Sequence, residues 1–186
     1  MKFEAPLLEE TLRKAEHKLS NALGGACSII VYHEFTDDLL EIIEEIDTQR
    51  FKNELRYDRE ELSERSREPG FTCLMVYLDG EAVAFDFGFN DQEESSYFSD
   101  TAATLIERKG IGSILTALEA LYYYGEGYHS VKMITEEEDQ SGRCLKEYWE
   151  RFGFRVTDVD PSVGVEMRLD LTPEGVRNLC QKYIGE

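Results

Sequence analysis

The residues best placed to do chemistry lie in the stretch Ile106-Glu107-Arg108-Lys109-Gly110-Ile111-Gly112-Ser113. A run of small and β-prone residues, Ser96 to Leu105, precedes it, and a well-patterned helix follows. A basic, glycine-containing turn between a strand and a helix can bind phosphate. Glycine lets the backbone approach the anion closely, and the first N–H groups of a helix have no intrahelical partner. The helix dipole adds about half a positive charge at the same point. Arg108 and Lys109 bring full charges beside it. Such a corner can equally be an ordinary turn, so its meaning depends on the elements that hold it.

Those elements can be read in order. Leu8, Leu12, Ala15, Leu19 and Leu23 make one apolar stripe, predicting a helix over 7–23 that ends at Gly24-Gly25. Cys27 to Tyr32 reads as a strand. Thr36 is an N-cap for a helix whose buried face is Leu39, Ile42, Ile43 and Ile46, with helical character continuing through Phe51 and Leu55. Asp58 and Glu61 have capping-box spacing, for a helix stopping at Pro69-Gly70. Phe71 to Leu78 and Glu81 to Phe89 flank Asp79-Gly80, the signature of a two-residue hairpin. Ser95 to about Leu105 forms the next strand and leads into the basic turn.

The helix beyond the turn carries Ile114, Leu115, Leu118, Leu121 and Tyr122 on one face. Ser130 to Thr135 is a short strand, and Glu136 to Asp139 an acidic loop. A helix is expected from about Gln140 to Phe152, with Leu145, Tyr148, Trp149 and Phe152 on one side. Phe154 to Val159 is a strand. Val165, Met167, Leu169 and Leu171 alternate with polar residues, as in a half-buried strand. Thr172-Pro173 starts a last helix. The expectation is one domain over 1–186, with an N-terminal helical extension (1–25), a core (27–171) and a C-terminal helix (172–186).

Composition narrows the function classes. The chain has 186 residues, 41% of them hydrophobic, and a net charge of −19. That charge would repel a phosphate backbone, so no nucleic-acid partner is expected, whereas cationic molecules would be attracted. No apolar run approaches the ~20 residues that span a bilayer. The first residues lack the apolar run of a signal peptide, so no membrane association and a cytoplasmic location are expected. Cys27, Cys73, Cys144 and Cys180 form no CxxC pair, so neither a metal site nor a disulfide framework is expected, and Cys73 reads as a buried small hydrophobe.

The element order β-α-α-β-β-β-α-β-α-β-β resembles the GNAT superfamily of acyl-CoA-dependent N-acyltransferases. Arg108-Lys109-Gly110-Ile111-Gly112-Ser113 and, about 40 residues later, Tyr148-Trp149-Glu150-Arg151-Phe152-Gly153-Phe154 carry the resemblance, which covers roughly 27–171. It implies an α+β, three-layer fold. A mixed, mostly antiparallel sheet of about seven strands would splay into a V between its fourth and fifth strands. It implies acetyl-CoA as co-substrate, with no metal. The pantetheine arm would pair with Ala103, Thr104 and Leu105, and the pyrophosphate would rest on Arg108, Lys109, Gly110, Ile111, Gly112 and Ser113. The acyl group would pass directly to an amine acceptor. A homodimer remains open.

Three positions depart from the family pattern. Glu107 stands where Gln or Arg is usual, with Arg108 one residue later. Trp149 stands where many members carry a tyrosine that reprotonates the departing thiolate. Tyr148 precedes it by one residue, about 100° round the helix, and is the candidate catalytic residue that the resemblance leaves for that acid role. Ser141-Gly142-Arg143 replaces a frequent Asn. A thiol leaves readily, with a reference pKa of about 8.5, so the acid is dispensable, whereas an alkylammonium must lose a proton before it can attack. Asp100 is the first candidate for that base, Asp86 (between Phe85 and Phe87) the second and His33 the third. Asp100 reads equally as a solvent-facing residue on a half-exposed strand. The rival to the enzyme is a GNAT-fold module that binds CoA or nothing and serves in regulation or assembly.

Overall fold

The computed structural model describes residues 5–51, 55–138, 142 and 144–185. The chain runs α1 (Leu8–Leu23), β1 (Cys27–Tyr32), α2 (Asp37–Arg50), α3 (Arg59–Arg65), β2 (Thr72–Leu78), β3 (Glu81–Asn90), β4 (Ser96–Thr104), α4 (Ile111–Gly125), β5 (Ser130–Thr135), α5 (Leu145–Glu150), β6 (Arg155–Asp160), β7 (Gly164–Asp170) and α6 (Pro173–Tyr183). The strands form one seven-stranded sheet in the order β1-β2-β3-β4-β5-β7-β6. Every neighbouring pair is antiparallel except β4 and β5, which are parallel.

Local chemistry accounts for the element ends. Thr36 accepts the Leu39 N–H at 3.3 Å and starts α2. Asp58 and Glu61 exchange backbone and side-chain bonds in a complete capping box. Asp79 (φ +51°) and Gly80 (φ +89°) take the two left-handed conformations that a type I′ hairpin demands. Thr172 caps α6 through the Gly175 N–H.

Two cores lie on opposite faces of the sheet. On one, α1, α4 and α6 bury Ala15, Leu19, Ile114, Leu115, Leu118, Val176 and Leu179 against the strands. On the other, α2 and α3 bury Leu40, Ile43, Ile46 and Leu62 against Phe71, Phe85 and Phe87. At roughly 25 cal/mol per Å² of apolar surface, these faces are the main source of stability.

Three expected elements are shorter than the sequence suggests. The α2 helix ends at Arg50, because Phe51 is already extended (ψ 151°). The next three residues lie outside the described ones. The α3 helix ends at Arg65, and a series of turns carries the chain to Pro69-Gly70. The α5 helix spans only Leu145–Glu150, because Cys144 pairs with Glu138 in an isolated bridge and is extended. The expected helix start near Gln140, Asp139 of the acidic loop, and Ser141 and Arg143 lie outside the described residues.

Candidate active site

The sheet opens where parallel pairing stops. β4 pairs with β5 only over Ser96–Phe98, opposite Ser130–Lys132. Beyond that, the rest of β4 pairs with β3 alone and the rest of β5 with β7 alone. A bulge marks the point of departure. Phe87 faces Thr101 and Gly88 faces Ser99, so Asp100 is the extra residue on β4. A bulge increases local twist and turns its strand away from its neighbour. The closed end is held by a buried Ser130–Ser96 hydroxyl bond of 3.0 Å. Ion pairs from Lys132 to Asp91 and Glu93, and from Arg168 to Glu93, tie the β3–β4 loop to β5 and β7.

The backbone of β4 along this opening alternates. Leu105 donates its N–H to Val83 O at 2.8 Å, so its donor is committed to β3. Ala103 turns the same way. In an antiparallel ladder the intervening residues turn outward. Thr104 and Ala102 therefore present their backbone groups to the cleft, so of the expected Ala103, Thr104 and Leu105 only Thr104 turns outward, because the ladder with β3 takes the other two.

The basic turn curls into a cradle of backbone N–H groups at the start of α4. Arg108 (φ +60°) and Gly110 (φ +85°) are left-handed, on either side of Lys109. Such alternation curls successive N–H groups into a concave nest. Left-handed geometry at Arg108 costs about 1 kcal/mol, since its Cβ crowds the backbone. The helix ladder opens with the Ile114 N–H on Gly110 O, so the N–H groups of Ile111, Gly112 and Ser113 precede it. Space around a Cβ at Gly110 is open, while one at Gly112 would meet the Tyr148 hydroxyl at 3.0 Å. Arg108 and Lys109 are exposed. Glu107, the residue that fits least by charge, forms an ion pair with Arg50 at the end of α2.

Tyr148 and Asp100 are held by different neighbours. Tyr148 packs edge-on against Trp149 and Phe152, with its hydroxyl beside Gly112. Trp149 packs against Phe152 and Phe154 at the edge of the larger core, the position of a packing aromatic.

Asp100 is not the solvent-facing residue its strand position suggests, for its side chain is 5% exposed. Tyr57 donates its hydroxyl to Oδ1 at 3.2 Å, and Arg65 Nη1 lies 3.4 Å from the same oxygen. Oδ2 is buried with no hydrogen-bond partner. Burial raises the Asp100 pKa, and Arg65 and Tyr57 oppose that rise. The Tyr57 phenol is itself pushed up to about 12, by burial first and the Asp100 charge second. The Arg65 guanidinium also lies over the rings of Tyr57 (4.7 Å) and Phe89 (5.6 Å). The two faces of the opening thus differ: the α2–α3 side carries Asp100, Tyr57 and Arg65, and the α4 side carries the cradle.

Asp86, the second candidate, is buried on β3, and burial lifts its pKa to about 7. His33 lies 6.4 Å from the Tyr122 ring, remote in sequence and contact from the cradle. Sequence reasoning missed Arg65, Tyr57, Ser99 and Glu119. Only the last had a local signal, as the lone charged residue of α4.

No family model matches the sequence, and no curated protein matches it at a significant level. Solved structures do match by shape. The ribosomal-protein-S18-alanine N-acetyltransferase from Escherichia coli superposes with a TM-score of 0.63 at 10% identity, covering 77% of this chain and 94% of that one. An aminoglycoside 6'-N-acetyltransferase complexed with coenzyme A gives 0.65 at 14% identity, covering 77% and 98%. The PaiA N-acetyltransferase from Thermoplasma acidophilum, in complex with coenzyme A, gives 0.60 at 16%, covering 77% and 99%. The fold is that of the GNAT N-acetyltransferases, with the sheet splayed between its fourth and fifth strands. Among the described residues no cluster of side chains could hold a metal ion, and no helix is long and apolar enough to cross a membrane.

Proposed function

We propose that the protein is an acetyl-CoA-dependent N-acetyltransferase that passes an acyl group directly to a primary amine. The observation that carries this reading is the pairing of β4 with β5 that stops at Phe98, with an open N–H cradle at the far end of the same strand. The residues fit the co-substrate. The nest from Arg108 to Ser113 would take the diphosphate, and the outward backbone groups of β4, Thr104 and Ala102, would take the amide arm. Arg50 holds the carboxylate of Glu107 beside the cradle. When bound, acetyl-CoA supplies a thioester carbonyl open to attack by an amine.

The chain's own groups do the rest. Asp100 stands in the bulge with one buried oxygen free of hydrogen bonds, where it can receive an amine's N–H. Its pKa, raised by burial, makes it a stronger base toward an alkylammonium than an exposed carboxylate is. Holding two reactants together in the cleft can supply much of the acceleration.

Calorimetric titration with acetyl-CoA and desulfo-CoA, followed by thiol release with a polyamine, an aminoglycoside and a lysine peptide, tests this reading. Binding of both nucleotides with amine-dependent thiol release is the expected result. Binding without release from any amine would instead favour a CoA-binding regulatory module, and absence of binding would remove both.

A further inference from the structure

Two buried carboxyls have no part in the account above. Asp86 on β3 is 4% exposed and Glu119 on α4 is 3% exposed. Asp86 Oδ1 and Glu119 Oε1 are enclosed without a hydrogen-bond partner. Ser99 of β4 faces both, and the two carboxyls are close enough for the Asp86 charge to act on Glu119. Two like charges so enclosed are held apart by neither solvent nor a cation, so one proton is retained between them.

Their placement ties them to the cleft. Asp86 lies directly opposite Ala102 on β4. The bond from Leu105 to Val83 makes this a non-hydrogen-bonded pair, with Cα atoms about 4.5 Å apart and side chains on the same face. Ala102 is exposed on the free edge of β4 directly across from Asp86, and Ser99, against both carboxyls, begins the stretch of β4 that β5 no longer pairs. Glu119 approaches from the other side. Gly112, Thr116 and Glu119 fall at i, i+4 and i+7 on α4, a polar row that runs inward from the cradle by about 10 Å. Thr116 is buried and spends its hydroxyl on Gly112 O at 2.9 Å.

We propose that Asp86 and Glu119 act as a single-proton store for the transfer reaction, exchanging a proton with the cleft through the Ser99 hydroxyl. The inference rests on the acetyltransferase reading. Asp100 removes the first proton, from the ammonium. The attacking nitrogen gives up a second as its N–C bond forms. Ser99 passes a proton to the ionised member of the pair, leaving both carboxyls protonated and uncharged. Ser99 then returns a proton to the leaving thiolate as the C–S bond breaks, and the pair is singly protonated again. Protons and charge balance over the cycle, and the transient state is the one that burial favours. The pair thereby supplies what Trp149, at the usual position of a tyrosine, cannot.

Among the described residues, the other titratable groups on this face of the pair are Tyr97 on β4 and Tyr123 on α4, while Cys73 on β2 packs in the core of the opposite face. Burial raises all three, so each is neutral near pH 7. The pair is therefore the one element of this cluster that titrates in the working range. The sign follows from linkage: folded-state values above the unfolded ones mean that the native state binds more protons, so stability falls as pH rises through the interval between them.

The test uses Asp86→Asn, Glu119→Gln and Ser99→Ala in the full chain. Difference infrared spectroscopy of the ligand-free protein should show a protonated carboxyl band at neutral pH that shifts in each carboxyl variant and disappears only when both carboxyls are replaced. With saturating acetyl-CoA and amine, each variant should lower kcat by about 10²-fold with KM for acetyl-CoA unchanged. Ser99→Ala should do so while keeping the infrared band. Absence of the band in the wild-type protein overturns the shared proton. A retained band with kcat unchanged in Ser99→Ala overturns the relay and leaves a structural pair. Should the wild-type chain release no thiol with any amine, the acetyltransferase reading and the relay fall together, while the infrared result still decides whether the pair shares a proton.

Discussion

Arg65 Nη1 and Asp100 Oδ1 lie 3.4 Å apart, joining α3 to the bulge in β4 at the mouth of the splayed sheet. The guanidinium takes one carboxyl oxygen, Oδ1, and leaves Oδ2 without a hydrogen-bond partner. Asp100→Asn keeps the shape and the Tyr57 bond but removes the charge. It should lower kcat/KM for the amine by about 10²-fold or more while leaving CoA affinity unchanged, read by steady-state kinetics beside calorimetry.

Gly112 and Tyr148 make a second testable contact. A Cβ at position 112 would meet the Tyr148 hydroxyl at 3.0 Å, inside ordinary contact distance. Gly112→Ala should therefore weaken CoA binding about tenfold, and Tyr148→Phe in the same chain should recover much of that loss by removing the opposing oxygen. Gly112→Asp, which adds a negative charge to the cradle, should abolish binding in the same calorimetric assay.

The Arg50–Glu107 pair predicts a small effect where charge alone suggests a large one. Glu107 is exposed and its charge is matched by Arg50. Glu107→Gln should raise CoA affinity by no more than about threefold, shrinking further with added salt, because exposed pairs are weak and screened.

Asp47 organises the segment that delivers Tyr57. It is buried on α2, accepts a bond from the Tyr57 backbone N–H, and has one oxygen without a partner. Burial lifts its pKa to about 6, against the opposing pull of that bond and of Arg56. A folded value above the unfolded one means that its contribution is fully present below about pH 4 and lost as pH rises to about 6. Asp47→Asn should remove this dependence, so its stability advantage over the wild-type chain grows across that interval in urea titrations.

The capping box at α3 carries a cost for the site as well as for the fold. Asp58→Ala removes the bond to the Glu61 N–H and should destabilise the protein by about 1 kcal/mol. Because α3 carries Arg65, the same variant should raise KM for the amine more than KM for acetyl-CoA.

Sequence and structure divide this protein along physical lines. Caps, turns and the strict alternation of β7 are local, so Thr36, Asp58, Asp79-Gly80 and Thr172 were legible from residue types. The strand-to-helix turn was legible too, since glycines and basic residues between a strand and a helix need no distant partner. The short α5 was not, because the bridge from Glu138 in the acidic loop holds Cys144 extended at a position that periodicity alone would place inside the helix. Burial of Asp100 was hidden for a similar reason: only the folding of α3 over the bulge brings Tyr57 and Arg65 to it. Glu119 looked like an oddity in an apolar helix until β3 and β4 placed Asp86 and Ser99 against it. Local backbone chemistry determined the elements and the curl of the basic turn. Charges brought together across 33 to 43 positions of chain set which carboxyls hold protons, and that was decided only when the sheet closed under α4 and opened beside β5.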